Sequence, residues 1–376
     1  MSSVARWSNY VLAAGEDLNS LLRLHCASAE RNICVILGQG FDPRMNIGLR
    51  SILEAGGTGR RHLILLQFDE GASSPSRFYE NAIKQNLADL EKLRNGVCTT
   101  ESKTVKMWGT DGRRISSHSA ANLFSSAKDF ADFSDVFLDI SALPRSIFYP
   151  LLAKLLYLQE KNSREGKHFN LFALVAESPE MDGQIIEEGV DESGDYVHLF
   201  RGGTDRTSST GEPKVWIPIL GERQRIQLER LYELVTPQEI CPILPSPALN
   251  PRRGDDLIIE YRELLFDRLR VEPRNILFAS ERNPFEVYRQ VRKTILHYQK
   301  ALGPLGGCHP VVSSVSTKLL STGALLAAYE LKQANLAVGI AHIETHGYRI
   351  ENEQALIEMA TRSTLFGLWL SGDCYV

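Results

Sequence analysis

The chain has 376 residues, 42 Lys plus Arg against 46 Asp plus Glu, a formal net charge of −4 and 43% hydrophobic residues. That length exceeds the usual span of one domain, about 100–200 residues, so two cores are expected. The composition excludes disorder and collagen-like repeats, and the mild acidity argues against a broad basic footprint for nucleic acid or an anionic membrane, leaving a local basic patch open.

Residues 1–30 form an N-terminal segment with helical spacing of apolar residues from Ala5 to Leu24. Ile33 to Leu37 is a short apolar run that ends in Gly38-Gln39-Gly40-Phe41-Asp42-Pro43-Arg44 and leads into a helical pattern through Leu49, Ile52 and Leu53. This reads as strand, glycine-rich turn, helix. A second strand is expected over Leu63–Phe68, an amphipathic helix over Phe78–Leu93, and a third strand over Val105–Trp108. Val136–Ile140 is a fourth strand, Ser141–Arg145 a turn, Ser146–Tyr157 a very apolar helix and Phe169–Val175 a fifth strand. Alternating strands and helices imply parallel βαβ units, and continuous apolar runs imply strands covered on both faces.

Residues 178–213 are rich in turn formers and charges, with one short strand candidate at Tyr196–Phe200, and read as a linker or hairpin with a domain boundary near residue 212. The pattern then repeats over residues 214–345. Strands are expected at Val215–Leu220, Glu239–Leu244, Asn275–Ala279, Val311–Val315 and Leu336–Ile343. The helices between them fall at Arg225–Val235, Leu257–Leu269, Pro284–Ala301 and Leu319–Leu331. Residues 346–376 close the chain as a helical segment. The fold class is therefore α/β, with two tandem Rossmann-like, doubly wound units of mostly parallel sheet, residues 31–177 and 214–345. Low residue identity between the halves leaves two explanations open, an internal duplication or the ordinary recurrence of a doubly wound pattern.

In an open α/β sheet, ligands bind beyond the carboxyl ends of the strands at a topological switch point. Gly38 and Gln39 permit close backbone approach there, Asp42 suits a ribose hydroxyl or base edge, and Arg44 suits a phosphate. The structural alternative is a tight turn with Asp42 as N-cap before Pro43. Neither G-x-G-x-x-G nor a Walker sequence is present. At the fourth strand, Asp139, Ser141 and Arg145 place a carboxylate, a hydroxyl and a guanidinium around one turn, against the alternative of a capped helix and a local ion pair. Ser314, Thr317 and Lys318 offer hydroxyls and a cation at the corresponding turn of the second unit.

The turn Asp139-Ile140-Ser141-Ala142-Leu143-Pro144-Arg145 resembles that of the CARF domain, the CRISPR-associated Rossmann fold, whose fourth strand ends in a D-[LI]-[TS]-x-x-x-[KR] pattern. The resemblance implies contact with a cyclic oligonucleotide through this turn and the turn after the first strand. In the second unit Ser314 and Lys318 keep the pattern, while Val312 stands where it has Asp. Two fused CARF-like units resemble the SAVED domain of bacterial antiviral signalling. Here Ala142-Leu143-Pro144 replaces the usual glycine-rich turn, and no effector domain is visible.

The expected function is a sensor or adaptor for a nucleotide-type or phosphorylated ligand, in bacterial antiviral defence, that signals to an effector or complex subunit. One alternative is an enzyme acting on a nucleotide or nucleic acid in an inter-domain cleft, with Asp139 or Glu281 as acid, base or metal ligand. Another is a scaffold subunit of a defence complex. No cofactor is expected, and Mg²⁺ enters only in the enzyme reading. The two histidines of His342-Ile343-Glu344-Thr345-His346 follow a strand and lack the shared helical face of a metal motif, so no metal site is expected. Six scattered cysteines without C-x-x-C, no leader-like N-terminus and no long apolar run point to the cytoplasm and away from membranes. The terminal helical segments offer a surface for a homo-oligomer or a partner.

Overall fold

The computed structural model describes residues 5–71, 75–166, 168–202, 212–350 and 353–375. Residues 203–211 of the expected linker lie outside the described residues. The strands in chain order are β1 (Val11–Ala14), β2 (Ile33–Gly38), β3 (Arg61–Asp69), β4 (Cys98–Lys106), β5 (Asp135–Asp139), β6 (Asn170–Glu177), β7 (Ile185–Val190), β8 (Asp195–Arg201), β9 (Lys214–Ile219), β10 (Glu239–Ile240), β11 (Ile243–Pro245), β12 (Leu277–Ala279), β13 (His309–Ser314), β14 (Gly339–His342), β15 (Thr345–Ile350) and β16 (Thr364–Ser371). The helices are α1 (Glu16–Ala27), α2 (Ile47–Glu54), α3 (Glu80–Arg94), α4 (Ser116–Ala121), α5 (Arg145–Arg164), α6 (Pro179–Gln184), α7 (Arg225–Val235), α8 (Arg253–Glu260), α9 (Pro284–Ala301), α10 (Lys318–Gln333) and α11 (Glu353–Ala360).

The chain divides into two compact units, Met1–Gly189 with His346–Val376, and Val190–Thr345. Where the sequence places a boundary near residue 212, the division falls at Gly189/Val190, and the chain returns to the first unit at His346. The segment read as a linker carries α6, β7 and β8, and β8 joins the second sheet. Strands β7 and β15 pair with each other as a separate two-stranded sheet.

Both units are α/β and Rossmann-like. The first sheet runs β1-β16-β6-β5-β2-β3-β4, and its stretch from β6 to β4 is parallel throughout. The second runs β12-β11-β9-β13-β14-β8, parallel from β12 to β14. Taking β10 and β11, which both pair in parallel with β9, as one interrupted strand and numbering the parallel strands by appearance gives the order 3-2-1-4-5 in both units, followed by an antiparallel strand, β16 or β8. The chain reverses direction across the sheet between strands 1 and 4, so each unit has one switch point, between β2 and β5 and between β9 and β13.

The expected helical C-terminus is corrected by this pairing. Among the described residues of this segment α11 is helical, with a short 3₁₀ turn at Asp373–Tyr375, and β16 lies between β6 and β1. Its residues Leu365, Phe366, Leu368 and Leu370 are buried. A strand covered on both faces shows a continuous apolar run, which periodicity does not separate from a buried helix. In the same way β1 precedes α1 in the expected N-terminal helix. Strand β4 begins at Cys98 rather than Val105, because it is an edge strand whose residues Thr99–Lys103 are mostly exposed and polar. The helix expected over 257–269 is α8 continued by a π-helical turn, Glu263–Arg268.

Two cores follow. In the first unit Val35, Leu37, Leu63, Phe137, Phe172 and Leu174 meet α1 and α2 through Leu18, Leu22, Leu49 and Ile52. In the second, Trp216, Leu220, Leu244 and Val311 meet α7 and α8 through Leu228, Leu231 and Leu257. A small satellite cluster joins Met181 of α6 to Leu356 and Ala360 of α11. Among the described residues no helix is long and apolar enough to cross a membrane.

Candidate functional site

At the first switch point, Gly38 ends β2 and Gln39 continues it by donating its N–H to the Leu66 carbonyl at 2.8 Å. Asp42 then caps a short 3₁₀ turn, Pro43–Asn46, by accepting from the Arg44 N–H at 2.9 Å. The Arg44 guanidinium donates to Asp42 Oδ2 at 2.8 Å and to Asp182 Oδ1 of α6, also at 2.8 Å. Arg44 is 5% exposed. Burial alone would lower its pKa, but the charges of Asp42 and Asp182 outweigh that and raise it. The guanidinium is thus a clamp between the turn after β2 and α6, which accords with the structural alternative for Asp42 and Arg44 rather than with an open phosphate contact.

The fourth-strand turn packs onto the first. Asp139, 1% exposed, ends β5, and its Oδ1 accepts from the Ser141 N–H at 2.9 Å. Its Oδ2 faces α2, where a Cβ on Gly48 would lie 2.2 Å away, so only glycine lets the helix pass this carboxylate. The Ser141 hydroxyl accepts from the Ala176 N–H at 2.9 Å and ties the turn to the end of β6. Pro144 stands at the N-cap of α5 without a side-chain cap, and half-buried Arg145 is the first helical residue. Next to it, the hydroxyl of Ser146 is buried without a hydrogen-bonding partner. The sequence reading missed Ser146. Its signal, a hydroxyl at the second position of an uncapped helix after a strand-end carboxylate, is weak.

The second unit repeats this plan with different residues. Ser314 ends β13 and its hydroxyl accepts from the Ser316 N–H at 3.4 Å, as Asp139 accepts from the residue two further on. Ser314 thus holds its turn by the same kind of bond as Asp139 does. Ser314 Oγ also lies 2.8 Å from Ser321 Oγ. Thr317 caps α10 by accepting from the Leu320 N–H at 3.3 Å, and half-buried Lys318 takes the first helical position, like Arg145.

Gly221, after β9, brings the two turns of this unit together. A Cβ there would lie 2.2 Å from the Val315 carbonyl oxygen and 2.9 Å from Ser316 Cα, and neither backbone atom can swing aside. Gly221→Ala is expected to destabilise the second unit by about 1–3 kcal/mol, the usual cost of overpacking, read as a lower urea midpoint. An unchanged midpoint would show that the turns separate freely. Gly38→Ala should cost less, because its Cβ would meet the far end of the Leu143 side chain, 2.5 Å away.

Glu281, after β12, is 7% exposed and forms an ion pair with Arg253. Its Oε2 accepts from the Leu249 N–H at 2.8 Å, and Arg253 Nε also lies 3.1 Å from Glu222 Oε1. Arg253, the first residue of α8, thus joins two carboxylates at this edge. The structure brings Gly38, Asp42, Arg44, Asp139, Ser141 and Arg145 to one sheet edge, and Ser314, Thr317, Lys318 and Glu281 to the corresponding edge of the second unit. Among the described residues no group of three His, Cys, Asp or Glu side chains is placed to hold a metal ion.

No family model matches the chain, and no curated protein matches it. Among solved structures it is similar to a functionally unknown protein from Pseudomonas aeruginosa at 10% identity and a TM-score of 0.22, covering 91% of this chain and 99% of that one. A universal stress protein from Archaeoglobus fulgidus is 9% identical with a TM-score of 0.23, covering 82% of this chain and 95% of its own. A protein assigned as a UDP-N-acetylglucosamine 2-epimerase from Listeria monocytogenes is 11% identical with a TM-score of 0.24, covering 77% and 75%. At such values the likeness assigns neither family nor activity.

Proposed function

We propose that the chain is a sensor or adaptor that binds a nucleotide-type or phosphorylated small molecule at the switch-point edges and passes that event to a partner protein. The system it serves would be bacterial antiviral defence, in the manner of the CARF-like domains that the Asp139–Arg145 turn resembles. The observation that carries the reading is the recurrence of one arrangement in both units. In each, strand order 3-2-1-4-5 sets a glycine turn against a fourth-strand turn whose helix opens on a cation, Arg145 or Lys318. A helix start and a cation together favour an anionic group. Gln39 and the opening residues of α5 and α10 are the contacts this reading uses. Asp42, Arg44, Asp139, Ser141 and Ser314 hold the turns in shape through their internal bonds.

The enzyme alternative would use Asp139 or Glu281, with Mg²⁺ supplied from solution. It is the weaker reading, because Asp139 is enclosed against Gly48 and Ser141 and Glu281 is engaged by Arg253 and the Leu249 amide. Arg145→Ala and Lys318→Ala are each expected to weaken binding of a phosphorylated ligand by about 1.5–3 kcal/mol, the range for charge-assisted bonds, with little change in unfolding midpoint. Calorimetric titration with mononucleotides and cyclic oligonucleotides checks this. Equal affinity of both variants and the parent would remove the assignment.

A further inference from the structure

Beside the first switch point, a cavity of about 250 Å³ is walled by Phe41 of the turn after β2, by Asn81, Gln85 and Asn86 of α3, and by Leu356 and Ile357 of α11. It is smaller than the roughly 300–1,000 Å³ that drug-sized ligands fill, so it suits one ring system rather than a whole large ligand. Among the described residues, none of its lining side chains is charged. A phosphate placed there would give up its hydration without a cation from this described lining, a cost that burial of an ion does not tolerate.

The walls are set before any ligand arrives. Asn86 donates from Nδ2 to the Gly40 carbonyl at 3.0 Å, and Asn46 Nδ2 donates to the Asn86 carbonyl at 2.9 Å, so α3 is fixed to the turn that carries Phe41. The Phe41 ring lies 5.0 Å from that of Tyr79 and 5.9 Å from that of Tyr348. The Tyr79 hydroxyl donates to the Tyr348 carbonyl at 2.7 Å and accepts from the Ile350 N–H at 3.1 Å. Asn81 and Gln85, one helical turn apart on α3, present exposed carboxamides on the same stripe. Carboxamides can donate and accept together, which matches the edge of a nucleobase, and an aromatic ring beside them matches its face.

We infer that this cavity between α3 and α11 takes the uncharged, planar, hydrogen-bonding end of the ligand, a nucleobase or a group of the same chemistry, while its anionic end lies outside at the turns. This rests on the sensor reading above and adds which part of the ligand each element holds. The test titrates the four ribonucleoside 5′-monophosphates and ribose 5-phosphate into the parent protein, Arg145→Ala, and the double variant Asn81→Ala with Gln85→Ala. At least one nucleotide should bind the parent on the order of tenfold more tightly than ribose 5-phosphate, and that gap should close in the carboxamide variant. In Arg145→Ala all affinities should fall together with the gap retained. Ribose 5-phosphate binding as tightly as every nucleotide, or a gap unchanged in the carboxamide variant, overturns the cavity assignment and leaves the phosphorylated-ligand reading standing. Failure of all five phosphorylated probes to bind the parent overturns both.

Discussion

Replacing Asp135 with alanine is expected to lower the unfolding free energy of the first unit by about 3–5 kcal/mol, the range for breaking one side of a buried charged network. Asp135 opens β5 and is 0% exposed. Its Oδ1 lies 2.6 Å from His25 Nε2 of α1 and accepts from Asn170 Nδ2 of β6 at 3.0 Å, while its Oδ2 accepts from the Ser134 hydroxyl at 2.6 Å. Arg31 stands 3.5 Å away and also reaches Asp373, near the C-terminus, at 3.4 Å. One carboxylate therefore fastens α1, two central strands and the end of the chain at the amino edge of the sheet, opposite the candidate site. Alanine would leave the His25 ring, wedged between Phe172 and Trp369, without its acceptor. Asp135→Asn keeps the shape and an oxygen acceptor and should fall between the two. Urea unfolding followed by circular dichroism reads the effect, and a loss below about 1 kcal/mol would mean the network is not what holds this edge.

The second large effect belongs to the other unit. Trp216→Ala should cost about 3–5 kcal/mol, the range for deleting a large buried aromatic side chain. Trp216 is central in β9, fully buried, and sits among Leu228, Leu231, Val311 and Ala341. Its indole N–H donates to the Ser313 hydroxyl at 3.0 Å, so the truncation also strands a buried acceptor. Trp216→Phe separates the two contributions, keeping most of the volume while losing the hydrogen bond. Because Trp216 is the one tryptophan among residues 190–345, tryptophan emission in Trp216→Ala reports on the first unit alone. That transition should keep the parent midpoint while circular dichroism shows an earlier loss of structure. Coincident, equally shifted transitions would instead mean that the units unfold as one.

Much of the fold was legible in the sequence because burial writes itself locally. Ile33–Leu37, Val136–Leu138 and Leu171–Ala176 are continuous apolar runs, as strands of a doubly covered parallel sheet must be, and each lies in a strand. Gly38 marked the turn after β2 correctly, since a Cβ there would press on the Leu143 side chain. The edge strand β4 was half missed for the converse reason, as Thr99–Lys103 face solvent and carry no apolar signal.

The candidate site was legible only as a set of positions. Sequence placed Arg44, Asp139 and Ser141 at strand ends but had no means of showing that Arg44 is answered by Asp182, that Asp139 faces Gly48, or that Ser141 bonds to Ala176. Nor does it show that Glu281 is paired with Arg253, which lies far from it along the chain. The stripe of Asn81, Gln85 and Asn86 passed as the polar face of an ordinary helix until α11 was seen to return beside it.

By itself, then, the sequence determined the α/β class, the alternation of elements and the residues at the carboxyl ends of the strands, because strand and helix periods, turn chemistry and burial act over a few neighbouring residues. Only the tertiary structure decided that residues 364–371 form a strand beside β6, that the first unit is completed by the end of the chain, and that the turn after β2 shares a cavity with α3 and α11. Those outcomes depend on which distant segments pair. Pairing is settled by the joint burial of surfaces that no local pattern specifies.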